Sequence, residues 1–240
     1  MKKRLWHFYY KCCDFLIKIV TTKFLVWLNR RYHFGRFRFR LTRFIYSILP
    51  GYSKARNQIW DWVLNYLPSL SMTIYRSLSV MVVGCTDSLL IHELPHRGYG
   101  VVGVDIRDYQ AKLPYYIAFF KYDITNPKFP ELFKIRFDYI IVLSVIELVG
   151  VDIYGDKIDP QGDRKAMENL SKMLGDNGYL LISVAIKNFR SHKGKGYTMR
   201  EFLNLIKGIF FAVEITQRCG HICAVLVKYP LSSPNAEGKI

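Results

Sequence analysis

The chain has 240 residues, 50% of them hydrophobic, which is enough apolar content to bury a sizeable core and excludes wholesale disorder. Its formal net charge of +16 points to an anionic partner: nucleic acid, an acidic membrane surface or a phosphorylated substrate. Five cysteines (Cys12, Cys13, Cys85, Cys219 and Cys223) are an odd number without scaffold density. They exclude a disulfide-built fold and read as reduced thiols in a cytoplasmic protein.

The charge is concentrated at one end. Residues 1–60 hold fourteen Lys and Arg against one acid, Asp14, so +13 lies there and only +3 in the other 180 residues. Polar Arg4, His7, Lys11, Asp14, Lys18 and Thr21 recur at spacings of three and four, one stripe along a helix otherwise covered by Trp6, Phe8, Phe15, Leu16, Ile19, Val20 and Phe24. Lys11, Asp14, Lys18 and Lys23 interrupt any signal-peptide h-region. They also argue against a membrane span, because each mid-bilayer charge costs about 2.5–3.5 kcal/mol. Gly35 to Phe44 then alternates Arg with apolar residues: one charged and one aromatic face if a strand, guanidiniums all round if a helix.

Such composition suits an anionic membrane surface contacted through residues 1–45, with peripheral attachment on the cytoplasmic face. Nucleic acid is the less favoured partner. A plain helical extension capping the main domain explains the same residues. Pro50-Gly51 breaks the segment, and Ile59 to Leu67 reads as a short helix. The expected division is a basic, aromatic-rich helical extension over residues 1–70, an α/β domain over 71–230 and a flexible tail over 231–240.

From Leu78 the pattern becomes apolar runs separated by helical stretches. Leu78–Val83, Gly100–Asp105, Ile117–Tyr122, Phe137–Leu143 and Tyr179–Ala185 read as strands. Asp87–Arg97 (capped by Thr86 or Asp87), Asp163–Leu174 (stopped by Gly175) and Thr198–Lys207 read as helices. This alternation predicts a Rossmann-like, mostly parallel sheet. Ile209–Thr216 and Ile222–Tyr229 are too close for a helical crossover, so the seven-stranded sheet should end in an antiparallel hairpin.

In such a sheet a ligand lies over the carboxyl ends of the strands. Three loops there carry chemistry. Gly84-Cys85-Thr86-Asp87-Ser88 follows the first strand, and its single glycine lets backbone approach a ligand. Asp105 ends the second strand 21 residues after Gly84, the spacing at which an acid accepts ribose hydroxyls. Asp123-Ile124 follows the third strand and can flank an adenine ring. A dinucleotide site is poorly matched, since its fingerprint needs glycine at Thr86 and Leu89.

On these stretches, residues 80–185 resemble class I S-adenosylmethionine-dependent methyltransferases, most of all a subgroup whose first motif reads valine-glycine-cysteine, then serine-leucine-leucine. The matching blocks are Val83 to Leu90, Gly103 to Tyr109, Phe137 to Ile140, Ser144 to Gly150 and Tyr154 to Asp163, a little under half of the chain. The resemblance implies S-adenosylmethionine as cofactor and methyl transfer to an unidentified acceptor. It implies that the Gly84 loop meets the methionine part, that Asp105 with Ile106 binds ribose, and that Asp123 with Ile124 flanks adenine. Ser144 and Glu147 would border the sulfonium and the acceptor. Three positions depart from the pattern: Val82 stands where an acid is usual, Thr86 and Ser88 where glycine is common, and Leu148 where the subgroup carries His. Losing the first-motif acid removes a partner for the cofactor's amino group.

Glu147, Asp156, Asp159 and Asp163 are the candidate general bases, and Glu147 is preferred for its loop. Asp163 also fits a helix N-cap and Asp159-Pro160 a turn. Cys219, His221 and Cys223 could share one strand face as three zinc ligands, but a closed site wants a fourth, and a packed edge strand explains them as well. His192 lies in a basic Gly/Lys loop and is a candidate contact for an anionic substrate. Two other function classes stay open: a catalytically silent binding module of the same fold, and a nucleic-acid-binding protein working through its basic segment.

Overall fold

A computed structural model describes residues 35–48, 52–67, 69–70, 78–109, 113–187 and 194–229. The expectations for residues 1–34, for His192 and for the tail lie outside the described residues. Seven strands form one sheet: β1 Ser79–Val83, β2 Gly100–Asp105, β3 Ile117–Lys121, β4 Phe137–Leu143, β5 Leu174–Ala185, β6 Phe210–Arg218 and β7 His221–Lys228. Their order is β3-β2-β1-β4-β5-β7-β6. Strands β1 to β5 pair in parallel, and β7 runs antiparallel between β5 and β6. This is the α/β, Rossmann-like sheet with a C-terminal antiparallel hairpin that the sequence pattern predicts. The hairpin turns on Cys219 and Gly220, both at positive φ (48° and 79°), the backbone of the tight turn that matches strand twist.

The central strands read as unbroken apolar runs because helices cover both faces. Successive side chains of β1 divide between two layers: Met81 and Val83 enter one, Val80 and Val82 the other. The first layer is closed by helices α4 (Gly162–Met173) and α5 (Met199–Ile206) through Met167, Leu170, Phe202 and Leu205. The second is closed by α1 (Gly35–Ile48), α2 (Tyr52–Tyr66) and the short α3 (Leu90–Glu93).

The alternating Arg–aromatic run is therefore helical. Helix α1 buries Phe39 against Trp60 of α2, ring centroids 5.3 Å apart, and leaves Phe37 and Phe44 exposed. Two of its arginines face protein carboxylates: Arg36 Nε donates to Glu93 of α3 at 3.1 Å, and Arg43 pairs with Asp61 of α2. Trp60, Trp62, Val63, Leu64 and Leu67 share one buried cluster with Val80, Val82 and Ile141 of the sheet, so α1 and α2 supply much of one core layer. Among the described residues no helix is long and apolar enough to cross a membrane.

Several boundaries differ from expectation, the first being the helix expected over Ile59 to Leu67, which spans Tyr52–Tyr66. The stretch 87–97 is not one helix but α3 followed by a 3-10 turn, Leu94–Arg97, closed by Gly98 at φ 92°. Pro95 has no N–H to continue an α ladder, and neither Thr86 nor Asp87 caps a helix, since Leu89 holds the cap position. Helix α4 starts one residue before Asp163, with Gln161 at its cap. It passes straight into β5 at Leu174, and Gly175 to Gly178 form an irregular stretch within that strand rather than a stop. By contrast Thr198 caps α5 in a reciprocal box with Glu201.

Phe39→Ala should cost about 3–5 kcal/mol in urea denaturation, because the ring is 1% exposed within the second layer. A loss under about 0.5 kcal/mol, typical of surface positions, would show that α1 is an appendage.

Candidate functional site

Where β1, β2, β3 and β4 end, a cleft of about 400 Å³ opens. The turn after β1 forms its floor. Gly84 sits at φ +68°, and a Cβ there would lie 2.3 Å from Cγ2 of Val145. Both backbone and space therefore require glycine. Asp87 and Ser88 line the cleft beyond it. Cys85 and Thr86 do not: Cys85 is fully buried beneath the sheet end, where burial pushes its thiol pKa well up, and Thr86 contributes a backbone N–H to Asp105 at 3.0 Å.

Asp105 ends β2 with its side chain 3% exposed. Burial alone would raise its pKa, but the Arg107 guanidinium, with backbone N–H groups of Arg107 and Thr86, outweighs this and holds the carboxyl below the usual range. Ile106 lies beside it on the cleft wall. After β3, Asp123 Oδ1 accepts from the Thr125 N–H and hydroxyl, both at 2.8 Å, which fixes a turn that turns Asp123 and Ile124 to the cleft. Asn169 of α4 donates to the Ile124 and Asn126 carbonyls from behind. After β4, Ser144 adopts φ 54° and faces the cleft. Gly84, Asp87, Ser88, Asp105, Ile106, Asp123, Ile124 and Ser144 are thus brought together.

Glu147 is not among them. It lies in a 3-10 turn, Ile146–Leu148, where about three residues complete a turn, so with Leu148 on the cleft Glu147 points inward. It is 0% exposed, and its Oε1 accepts the Ala185 N–H at 3.0 Å. The structure thus places the preferred general base, Glu147, behind the cleft wall rather than on it. Of the other acids, Asp159 pairs with Lys165 and Asp163 accepts from the Tyr197 hydroxyl at 2.8 Å. Asp156 does line the cleft, while its Oδ2 accepts the Gly150 N–H and shapes the 150–159 loop. Cys219 lies in the hairpin turn and Cys223 is buried, and among the described residues no His, Cys, Asp and Glu group could hold a metal.

The cleft also holds residues not anticipated from sequence: Arg107, Tyr154, His221 and, from α2, Arg56, Ile59 and Trp60. The guanidinium of Arg107 lies 4.2 Å from the Tyr154 ring centroid. An Asp-x-Arg spacing at a strand end was the available signal for Arg107. Helix α2 gave none, because its approach depends on packing across the whole layer.

The profile of a Caenorhabditis protein family of unknown function, DUF268, matches residues 109–192. No curated protein matches the chain. Among solved structures, the N-methyltransferase NodS of Bradyrhizobium japonicum, in complex with S-adenosylhomocysteine, is 16% identical with a TM-score of 0.54, covering 73% of this chain and 86% of its own. The 1,6-didemethyltoxoflavin-N1-methyltransferase of Burkholderia thailandensis, with bound 1,6-didemethyltoxoflavin and S-adenosylhomocysteine, is 13% identical with a TM-score of 0.53, covering 72% and 78%. A TehB-like S-adenosylmethionine-dependent methyltransferase of Corynebacterium glutamicum is 17% identical with a TM-score of 0.52, covering 82% and 98%. The chain has the fold of class I S-adenosylmethionine-dependent methyltransferases.

Burial raises the Glu147 carboxyl from 4.5 to about 7, against the opposing backbone hydrogen bonds. The folded chain therefore keeps this proton where the unfolded chain has lost it. The stability it contributes is full below about pH 4.5, falls as pH rises toward 7 and is flat above, a span of about 3 kcal/mol. Glu147→Gln should remove that slope, so its stability relative to wild type rises between pH 4.5 and 8 in denaturant titrations. Parallel curves for the two proteins would contradict this reading.

Proposed function

We propose that this cleft binds S-adenosylmethionine and that the chain transfers its methyl group to an acceptor entering beside α2 and the 150–159 loop. The observation that carries the reading is Asp105: a nearly buried, ionised carboxylate at the end of β2, between the Gly84 turn and the Asp123-Ile124 turn. An acid so placed suits a ribose diol, glycine at 84 suits close backbone approach, and Ile124 offers an apolar face to a base. When bound, the cofactor supplies a methyl group on a positively charged sulfur, which an acceptor lone pair attacks in line.

The chain's own part is positioning. Ser144 and Val145 close the end of β4, Leu148, Val149 and Ile153 exclude water from the acceptor side, and Trp60 and Ile59 wall it from α2. Holding two reactants in line in a dry site is worth several kcal/mol of barrier, about 7–11 in favourable cases. With Glu147 turned inward, the reading fits best an acceptor that is already nucleophilic or that loses its proton to water. Val82 is 1% exposed in the second layer, so the amino group must be met by cleft residues other than a first-motif acid.

Enrichment of Lys, Arg and aromatic residues over 1–45 supports attachment to an anionic membrane surface, which predicts salt-sensitive co-sedimentation with phosphatidylserine vesicles. Salt-sensitive binding to RNA without vesicle binding would replace it with nucleic acid. A module without turnover is the second reading, favoured by Val82.

Calorimetric titration with S-adenosylmethionine and S-adenosylhomocysteine should give micromolar binding, weakened at least about tenfold by Asp105→Ala. A folded protein that binds neither at millimolar concentration would overturn the cofactor reading and leave the silent module.

A further inference from the structure

The carboxylate on which the cofactor reading depends is already full. A carboxylate offers two oxygens and about four lone-pair sites. Oδ1 of Asp105 accepts from the Arg107 backbone N–H at 3.0 Å and from Arg107 Nε at 3.1 Å. Oδ2 accepts from the Thr86 backbone N–H at 3.0 Å and from Arg107 Nη2 at 3.2 Å. A ribose diol brings two further donors, and no lone pair remains for them.

Two of the four donors are backbone groups fixed by the turns after β1 and β2. The other two belong to one side chain, 28% exposed at the cleft wall, and that side chain can leave. It has somewhere to go: Arg107 Nη1 also bonds Asp87 at 2.9 Å, and the Asp87 side chain is 57% exposed. A guanidinium that rotates away from Asp105 keeps a counter-ion on the rim. Until it does so, the Tyr154 ring of the 150–159 loop, its centroid 4.2 Å from the guanidinium carbon, steadies it beside Asp105.

We propose that Arg107 is the affinity- and specificity-determining residue of the nucleoside half of the cleft, an internal competitor that occupies Asp105 until two vicinal hydroxyls replace its two side-chain hydrogen bonds. The proposal rests on the cofactor reading above. A diol satisfies both vacated lone pairs at once. A ligand with a single hydroxyl leaves one lone pair of a nearly buried carboxylate unmet, so it displaces Arg107 at a net loss. Arg107 thereby lowers affinity for every ligand and sharpens the preference for an intact ribose.

The test is calorimetric titration with S-adenosylhomocysteine of wild type, Arg107→Ala, Arg107→Lys, Asp105→Ala and the Arg107→Ala/Asp105→Ala double variant, each checked for folding by thermal denaturation. Arg107→Ala should bind about tenfold more tightly than wild type. Arg107→Lys, which keeps the charge without the planar fork, should fall between them and serves if the alanine variant does not fold. The gain should vanish in the double variant, because it acts through Asp105. Binding by wild type that Arg107→Ala leaves unchanged or weakens would overturn the proposal and leave the cofactor reading standing. Binding by Arg107→Ala alone would support it most strongly. Absence of binding by every variant would overturn both.

Discussion

A carboxylate buried at the end of a parallel strand must be held by donors, and Asp105 shows how this fold supplies them. Its two backbone donors come from the turn after β1 and from the residue two places beyond Asp105 itself. Parallel pairing of β1 with β2, Val82 opposite Gly103 and Val83 opposite Val104, brings the first turn to it. Gly103 has no side chain because a Cβ there would meet Ile91 at 2.5 Å and Cys85 at 2.8 Å. The Gly84 N–H donates to the Val104 carbonyl at 2.8 Å, which holds the turn beside Asp105. The charge of Asp105 is thus a property of the sheet's register as much as of one residue.

The second constraint is the layer formed by α1, α2 and α3. A parallel sheet exposes apolar surface on both faces, and residues 35–67 cover one of them with Trp60, Trp62, Val63 and Leu67. The basic residues of this segment take part in its packing. Arg36 and Arg43 face Glu93 and Asp61, while Arg97 donates to the Leu64 and Leu67 carbonyls at the end of α2. Helix α2 also brings Arg56, Ile59 and Trp60 to the cleft, so packing of the segment and shape of the site are one arrangement.

Much of this was legible in the sequence. Strands β1, β2, β4 and β7 announce themselves as β-branched apolar runs, and the short gap at Gly220 fixes the antiparallel end. The glycine of the first turn and the acid 21 residues on both line the cleft. What failed to show had physical causes. Gly175 reads as a helix stop but lies in an irregular stretch of a strand that starts before it. Glu147 sits in the expected loop, yet one turn of 3-10 helix directs it inward. The Asp-x-Arg spacing hints at the pairing of Arg107 with Asp105, but its bond to Asp87 and its contact with Tyr154 depend on three loops meeting in space.

The central claim, that Asp105 is the anchor of a nucleoside cofactor, is tested most directly by a crystal structure of the protein with S-adenosylhomocysteine. The account predicts the ribose hydroxyls on the Asp105 carboxylate, the adenine against Ile124 and the Arg107 guanidinium turned away toward Asp87. Ligand bound elsewhere, or a ribose that leaves Arg107 bonded to Asp105 as it is now, would contradict it.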